Sequence, residues 1–165
     1  MIEHESSNTV VRLIRPGTPL ERSTLLVENL LRSHGVDPTR HVLSRGEGSF
    51  SWVLPIKANQ LVVLSVFEAE GNAYIRVSAP ILQIPRQRQL EFCRRLLDLN
   101  SEMVSASLAT VGEDVYVVSV RPIQDLESEQ AIDLLGRVCI YASQYADRLR
   151  EEFGAAPWGA GPTTA

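Results

Sequence analysis

The residue types that could carry out nucleophilic or metal chemistry are few in this sequence. It contains two cysteines, Cys93 and Cys139, and three histidines, His4, His34 and His41. A nucleophile needs a base within hydrogen-bonding reach, and a zinc site needs Cys or His ligands at short spacings. The histidines all lie near the N-terminus, distant in sequence from both cysteines, and no pair has metal-ligand spacing. We therefore predict no catalytic residue and no metal site, and we interpret both cysteines as buried free thiols in helices.

Paired carboxylates and glycine-bearing loops are the other places where chemistry could reside. The carboxylate pairs lie at predicted turns or at an exposed helix end, which indicates solvated charge rather than acid–base work: Glu68/Glu70, Glu113/Asp114 and Glu151/Glu152. The loop Arg45-Gly46-Glu47-Gly48 leads into a strand, whereas a phosphate cradle leads into a helix N-terminus. GxSxG, GxGxxG and GxxxxGK[ST] motifs do not occur. The sequence therefore predicts a protein that is not an enzyme and has no cofactor.

A local excess of basic residues offers a different kind of function. It consists of Arg76, Arg86, Arg88, Arg94 and Arg95, with only Glu91 among them. These arginines can form a solvated face, pair with acids of another helix, or meet an acidic partner or a nucleic-acid backbone. The formal net charge of -4 gives no overall attraction to nucleic acid. Direct nucleic-acid binding is therefore an alternative function and not the favoured one.

The N-terminal sequence and the hydropathy bear on location. MIEHESSNTVV is acidic and polar, unlike a signal peptide. Apolar runs all fall short of the roughly 20 residues that a membrane span needs. We expect a cytoplasmic protein that does not associate with a membrane.

Hydrophobic periodicity predicts an α+β domain with the order α-β-β-β-α-β-β-α and an antiparallel sheet packed against helices. The first helix has a strong start, because Thr18-Pro19-Leu20-Glu21 combines a capping box with proline at the first helical position. Asp125 or Ser128 is the predicted cap of the last helix. The predicted helices cover 19–34, 85–103 and 127–153, and the predicted strands cover 49–55, 61–67, 73–79, 105–110 and 115–121.

The chain length of 165 residues suits one domain with a full core. We divide the chain into an N-terminal arm at 1–17, a single domain at 18–154, and a Gly/Pro-rich tail at 155–165. The tail should be flexible by composition, although Trp158 offers an anchor for docking. Trp52 and Phe50 are predicted core or groove residues. A small-molecule site near Trp52 is a further alternative function.

The second predicted helix has more apolar surface than one sheet requires. Its apolar residues span about half of the helix circumference, against the ~100° stripe that covers a sheet: Leu90, Phe92, Cys93, Leu96, Leu97, Leu99 and Met103. Either other helices of the chain or a second subunit must cover the surplus. We favour a homodimer with this helix at or near the interface, and another protein as the functional partner.

Asn100 is a polar amide that falls inside this apolar arc, as does Gln89. An unpaired buried amide group costs on the order of 1–3 kcal/mol, so Asn100 needs partners, and free backbone carbonyls near the helix end are the nearest candidates. With no titratable neighbour in the stripe, Asn100 is interpreted as an amide that ends the helix and holds the start of the next strand.

Taken together, the order and spacing of these stretches resemble the YbjN-like family of bacterial proteins, which have the type III secretion chaperone-like fold. The resemblance covers about 18–154 and rests on GSFSWVL, VSAPILQIPRQRQLEFCRRLLDLN, ASLATVGEDVYVVSVRPI and the terminal YADRLREEFG. Its most specific parts are the LLxLN element and the end of the last helix: Leu96, Leu97, Leu99 and Asn100, then Tyr145, Leu149, Phe153 and Gly154.

The resemblance implies a small cytoplasmic bacterial protein that is often dimeric, with a fold that in secretion chaperones holds an extended protein segment. It also implies a link to stress or regulatory pathways, and it implies no catalytic residues. The N-terminal arm and the Gly/Pro-rich tail depart from the family pattern, so a binding mode does not transfer residue by residue.

Overall fold

The computed structural model describes residues 17–46, 48–57, 60–124 and 126–159. These residues form three α-helices and a six-stranded antiparallel sheet with the strand order β1-β2-β3-β4-β6-β5. The predicted α+β class is therefore confirmed. The helices are α1 (Pro19–Ser33), α2 (Gln89–Asn100) and α3 (Ser128–Phe153), and the strands are β1 (Val42–Arg45), β2 (Ser49–Lys57), β3 (Gln60–Ala69), β4 (Asn72–Gln83), β5 (Ser107–Val111) and β6 (Asp114–Pro122).

The first helix follows its sequence signals closely. The Thr18 hydroxyl accepts from the backbone N–H of Glu21 at 3.1 Å, and the Glu21 carboxylate accepts from the N–H of Thr18 at 2.8 Å. This is the predicted capping box. Gly35 follows the helix with φ +75°, the left-handed conformation in which a helix commonly ends.

One strand was missing from the predicted order. The 3₁₀ turn Pro38–Arg40 leads into β1, whose residues are half-buried or exposed throughout. Its pairing with β2 contains a register shift between Val42 and Ser44. A four-residue edge strand with no buried side chain has no alternation of apolar and polar residues, so hydrophobic periodicity could not reveal it.

The boundaries of β4 and α2 also differ from prediction. Proline was expected to end the third predicted strand at Ala79, yet β4 continues to Gln83. Pro80 is tolerated because the β4–β6 register shifts between Pro80 and Leu82. The second helix was predicted to begin at Pro85, but Arg88 adopts the left-handed conformation with φ +58°, so α2 begins only at Gln89.

The cap of α3 is a further correction. Ser128 is the first helical residue, and the N-cap is Glu127, which forms a capping box with Gln130. The other predicted cap, Asp125, lies outside the described residues, as does the N-terminal arm up to residue 16. Gly154 ends α3 in the left-handed conformation with φ +65°.

A single hydrophobic core fills one face of the sheet. Along β2, β3, β4 and β6, alternate residues are buried, and the buried set contacts the apolar stripes of all three helices. Trp52 is fully buried, and its ring lies 4.6 Å from that of half-buried Phe50. Trp52 is therefore a core residue, and Phe50 packs against the core. The helices thus cover one side of the sheet and leave α2 beside its β5 edge.

Candidate protein-binding surfaces

Helix α2 buries only part of its apolar arc. Phe92, Leu96 and Leu99 are in the core, whereas Leu90 is 84% and Leu97 70% exposed. Cys93 lies between the two leucines at helical spacing and is also exposed. The prediction of a surplus apolar surface is confirmed, and the prediction that Cys93 is a buried thiol was wrong. We call Leu90, Cys93 and Leu97 the α2 stripe.

Contacts with the end of α3 hold α2 in position. The rings of Phe92 and Phe153 meet edge to face with centroids 5.2 Å apart. Arg88 stacks over Phe153 at 4.8 Å and pairs with Glu91 at 2.7 Å. Arg95 pairs with Glu152 at 3.1 Å. The α2 stripe is therefore carried by a helix that is anchored on its opposite side.

Asn100 joins the end of α2 to the edge of the sheet. Its Oδ1 accepts from the backbone N–H of Leu108 at 2.6 Å, and its Nδ2 donates to the Leu108 carbonyl at 3.2 Å. The predicted role of holding the next strand is confirmed. The partners differ from the expected helix carbonyls, because the amide side chain hydrogen-bonds with both the backbone N–H and the backbone carbonyl of Leu108 in β5.

Helix α2, which carries the α2 stripe, lies beside an edge strand. Among the described residues β5 pairs with β6 alone, which leaves its other side at the sheet margin, and it ends at exposed Val111. Val104, between α2 and β5, is exposed as well. Exposed apolar residues next to an edge strand are typical of a surface that another chain covers.

The outward face of the sheet is a second, more polar surface. Its central residues are half-buried rather than buried, and they pair across strands as Val63 with Ser78 and Phe67 with Tyr74. The Phe67 and Tyr74 rings stack at 5.6 Å, and Arg76 lies over Phe67 at 4.6 Å. The sequence did not predict the cluster of Phe67, Tyr74 and Arg76, because the register between β3 and β4 determines which of these side chains are in contact.

The structure does not gather the five arginines into one patch. Arg76 is on the outward sheet face, while Arg88 and Arg95 pair with Glu91 and Glu152. Of the possibilities predicted for these arginines, pairing with an acid of another helix therefore holds for Arg95. Arg86 and Arg94 are exposed.

The groups considered for chemistry are dispersed. His34 Nδ1 lies 2.9 Å from the Leu30 carbonyl, and His41 Nδ1 lies 3.1 Å from the Val53 carbonyl. Burial raises the pKa of the half-buried Cys139 thiol, an effect that Lys57 partly opposes. His4 lies outside the described residues, within which His, Cys, Asp and Glu form no cluster of three that could hold a metal.

Two of the paired carboxylates have structural partners. Glu68 accepts from the backbone N–H of Leu20 at 2.9 Å, which ties the start of α1 to β3. Glu152 pairs with Arg95 as described above. Glu70 and Glu113 lie at the turns that join β3 to β4 and β5 to β6, where they are exposed. These placements agree with the solvated-charge interpretation for the turns.

This architecture is the fold of the type III secretion chaperones. The chain is similar to the structure of the ExsC–ExsE complex, with 12% identity, a TM-score of 0.58, and coverage of 81% of this chain and 97% of the other. It is also similar to the HopA1–SchA chaperone–effector complex, with 12% identity, a TM-score of 0.53, and coverage of 78% and 95%.

A third similar structure is the Yersinia pestis type III secretion chaperone SycH in complex with a stable fragment of YscM2, with 16% identity, a TM-score of 0.50, and coverage of 74% and 98%. At these identities the likeness establishes the fold alone. No family model matches the sequence, and no curated protein matches it. Within the described residues, the helices are too short or too polar to cross a membrane.

Proposed function

We propose that this chain is a non-enzymatic bacterial adaptor or chaperone-like protein that binds another protein and works as a homodimer. The observation that carries the proposal is the α2 stripe, because two leucines and a thiol are exposed on an anchored helix. The fold supports protein binding, since two similar structures are chaperones in complex with an effector or with a fragment of another protein, and a third is also a complex. The order of the sequence motifs supports membership of the YbjN-like family, a cytoplasmic location, and a role in a stress or regulatory pathway.

A second copy is the occupant we assign to the α2 stripe. A twofold interface is self-complementary, so an apolar stripe can pack against the same stripe of another copy. Full burial of a leucine side chain contributes about 1.5–3 kcal/mol. A symmetric contact would bury Leu90 and Leu97 from both copies. Cys93 is central in the stripe, and an axis near the middle of α2 brings the two Cys93 thiols together.

Crosslinking with a short bismaleimide tests this arrangement. We expect a covalent dimer of the wild-type protein that is absent from Cys93→Ser, while Cys139→Ser still crosslinks. Burial and the raised pKa of Cys139 favour reaction at Cys93. A covalent dimer that persists in Cys93→Ser, or no dimer in any variant, would contradict the proposed interface.

Affinity purification of the tagged chain from cells that express it natively tests the adaptor role. We expect one enriched partner that the wild-type protein and Ile140→Glu both retain. Ile140 is an exposed α3 residue outside the proposed dimer surface, so this variant controls for added surface charge. A purified partner should then bind the purified chain with a fixed stoichiometry. Failure to enrich any partner would count against the adaptor function without affecting the dimer.

A further inference from the structure

The start of the Gly/Pro-rich tail pairs with β4 through an isolated antiparallel bridge. The backbone N–H of Gln83 donates to the Ala156 carbonyl at 2.9 Å, and the N–H of Trp158 donates to the Ile81 carbonyl at 3.3 Å. Leu82 and Pro157 are the facing antiparallel pair between these bonds. Residues 155–159 are therefore docked on the sheet, as the sequence predicted from Trp158.

This segment occupies an edge that β3 leaves open. The ladder between β3 and β4 ends at the pair Val63–Ser78, whereas β4 continues for five more residues to Gln83. On its other side this extension pairs with β6, as Leu82 with Val115 and Gln83 with Asp114. The remaining edge carries backbone groups that need partners, and the tail supplies them.

The sequence of the tail suits the site position by position. Gly154 ends α3 in the left-handed conformation and redirects the chain toward β4. Ala155 is buried beside the core. Pro157 has no N–H to donate, but it faces Leu82 at the position where the pairing requires no bond from it. Trp158 lies against Tyr116 and partly offsets the rise in the pKa of Tyr116 that burial and Asp114 cause.

Buried Ala155 anchors the start of this segment, and the residues after it are held by fewer contacts. Two backbone hydrogen bonds link it to β4, and the Trp158 side chain remains 40% exposed. Segments with few buried contacts open at low free-energy cost. The β4 edge therefore holds an extended segment through two backbone hydrogen bonds.

We propose that the β4 edge at Ile81–Gln83 is a strand-addition site for an extended segment of another protein, and that the chain's own residues 155–159 occupy it until such a segment displaces them. The tail defines the chemistry of the segment. It has small residues at the first two positions, a residue that need not donate at the third, and a side chain that hydrogen-bonds Tyr116 at the fourth. This inference rests on the proposed protein-binding function and assigns it a binding edge.

A peptide of sequence GAAPWGAG, corresponding to residues 154–161, tests the site on the full-length protein. Trp158→Pro removes the backbone N–H that donates a hydrogen bond to the Ile81 carbonyl, so it should release the tail. Trp158→Phe is the control, because it keeps both the N–H and an aromatic ring. A tethered tail competes at an effective concentration near millimolar, so the peptide should bind Trp158→Pro at least about tenfold more tightly than wild type. Wild type and Trp158→Phe should bind it similarly.

Amide exchange of Gln83, followed by NMR, reports the edge directly. We expect exchange at Gln83 to accelerate about tenfold or more in Trp158→Pro and to slow again when the peptide is added. The same peptide with proline in place of its tryptophan should not slow it. Trp158→Ala, which keeps the N–H but lacks the ring, should show a smaller acceleration.

Several results would overturn the inference. One is that the Gln83 amide exchanges as slowly in Trp158→Pro as in wild type. Another is that its exchange accelerates in Trp158→Pro but does not slow when the peptide is added. Tail exchange between copies, seen as a concentration-dependent mass increase that Trp158→Pro abolishes, would assign the edge to a second copy. Because the peptide readout needs neither the α2 dimer nor the natural partner, it should also succeed in Leu97→Glu, which separates failure here from failure of the proposed function.

Discussion

Helices α2 and α3 use their apolar residues in different ways. The stripe of α3 is almost wholly internal: Ala131, Leu134, Val138, Ala142, Tyr145 and Leu149 are all buried. Helix α2 buries Phe92, Leu96 and Leu99 and exposes Leu90 and Leu97. Both helices pack on the same core. The core needs about one stripe from each helix. Helix α3 also exposes Ile132 and Ile140, so exposure alone does not mark an interface. The α2 stripe differs because its two leucines and its thiol fall on one face of the helix.

Removing a leucine from each helix should give the largest contrast. Leu149 is fully buried, so Leu149→Ala should lower the free energy of unfolding by about 2–5 kcal/mol through lost burial and a cavity. Leu97→Ala should change the stability of the monomer by no more than about 0.5 kcal/mol, because the side chain is already solvated. Urea denaturation measures both.

Protein concentration sharpens the same contrast. If the α2 stripe packs against a second copy, the unfolding midpoint of wild type rises with concentration, and that of Leu97→Ala rises less. Equal concentration dependence in the two proteins would place the association elsewhere.

Asn100→Ala should have the next largest effect, because it leaves the N–H and the carbonyl of Leu108 without partners. We expect a loss of roughly 1–3 kcal/mol in the free energy of unfolding, with partner binding intact wherever the protein stays folded. Asn100→Asp, which still accepts from the Leu108 N–H, should lose less. Loss of partner binding at unchanged stability would turn Asn100 from a structural residue into a binding residue.

The ion pair that joins the two helices should contribute least. Arg95 and Glu152 are both partly exposed, so solvent screens their attraction. A double-mutant cycle with Arg95→Ala and Glu152→Ala should give a coupling free energy of about 0.2–1 kcal/mol. A coupling several times larger would mean that charge, rather than the Phe92–Phe153 contact, anchors α2.

The sequence predicted the features that local rules determine. The α1 capping box, the apolar stripes and the buried Trp52 follow from spacing and residue type alone. The β1 edge strand, the passage of β4 through Pro80, and the start of α2 after Arg88 do not, since each depends on partners distant in sequence. The exposure of Cys93 was missed for a related reason, because periodicity shows that a residue is on an apolar arc but not which part of the arc the core covers.

The tail illustrates the same division. Its Gly/Pro-rich composition predicts flexibility, and the sequence identifies Trp158 as the exceptional residue. The open edge of β4 arises only once β3 ends its pairing at Val63–Ser78. A docking site formed where the pairing between two strands stops before one of them ends is therefore visible only in three dimensions.

The central claim, that the α2 stripe is a dimer interface, is tested most directly by solution mass from light scattering. Wild type should have twice the monomer mass of 18.3 kDa, and Leu97→Glu should have the monomer mass because it places a charge in the interface. Ile140→Glu, an equally solvated change on α3, should remain a dimer. A wild-type protein of 18.3 kDa, or a Leu97→Glu variant that remains dimeric, would contradict the account.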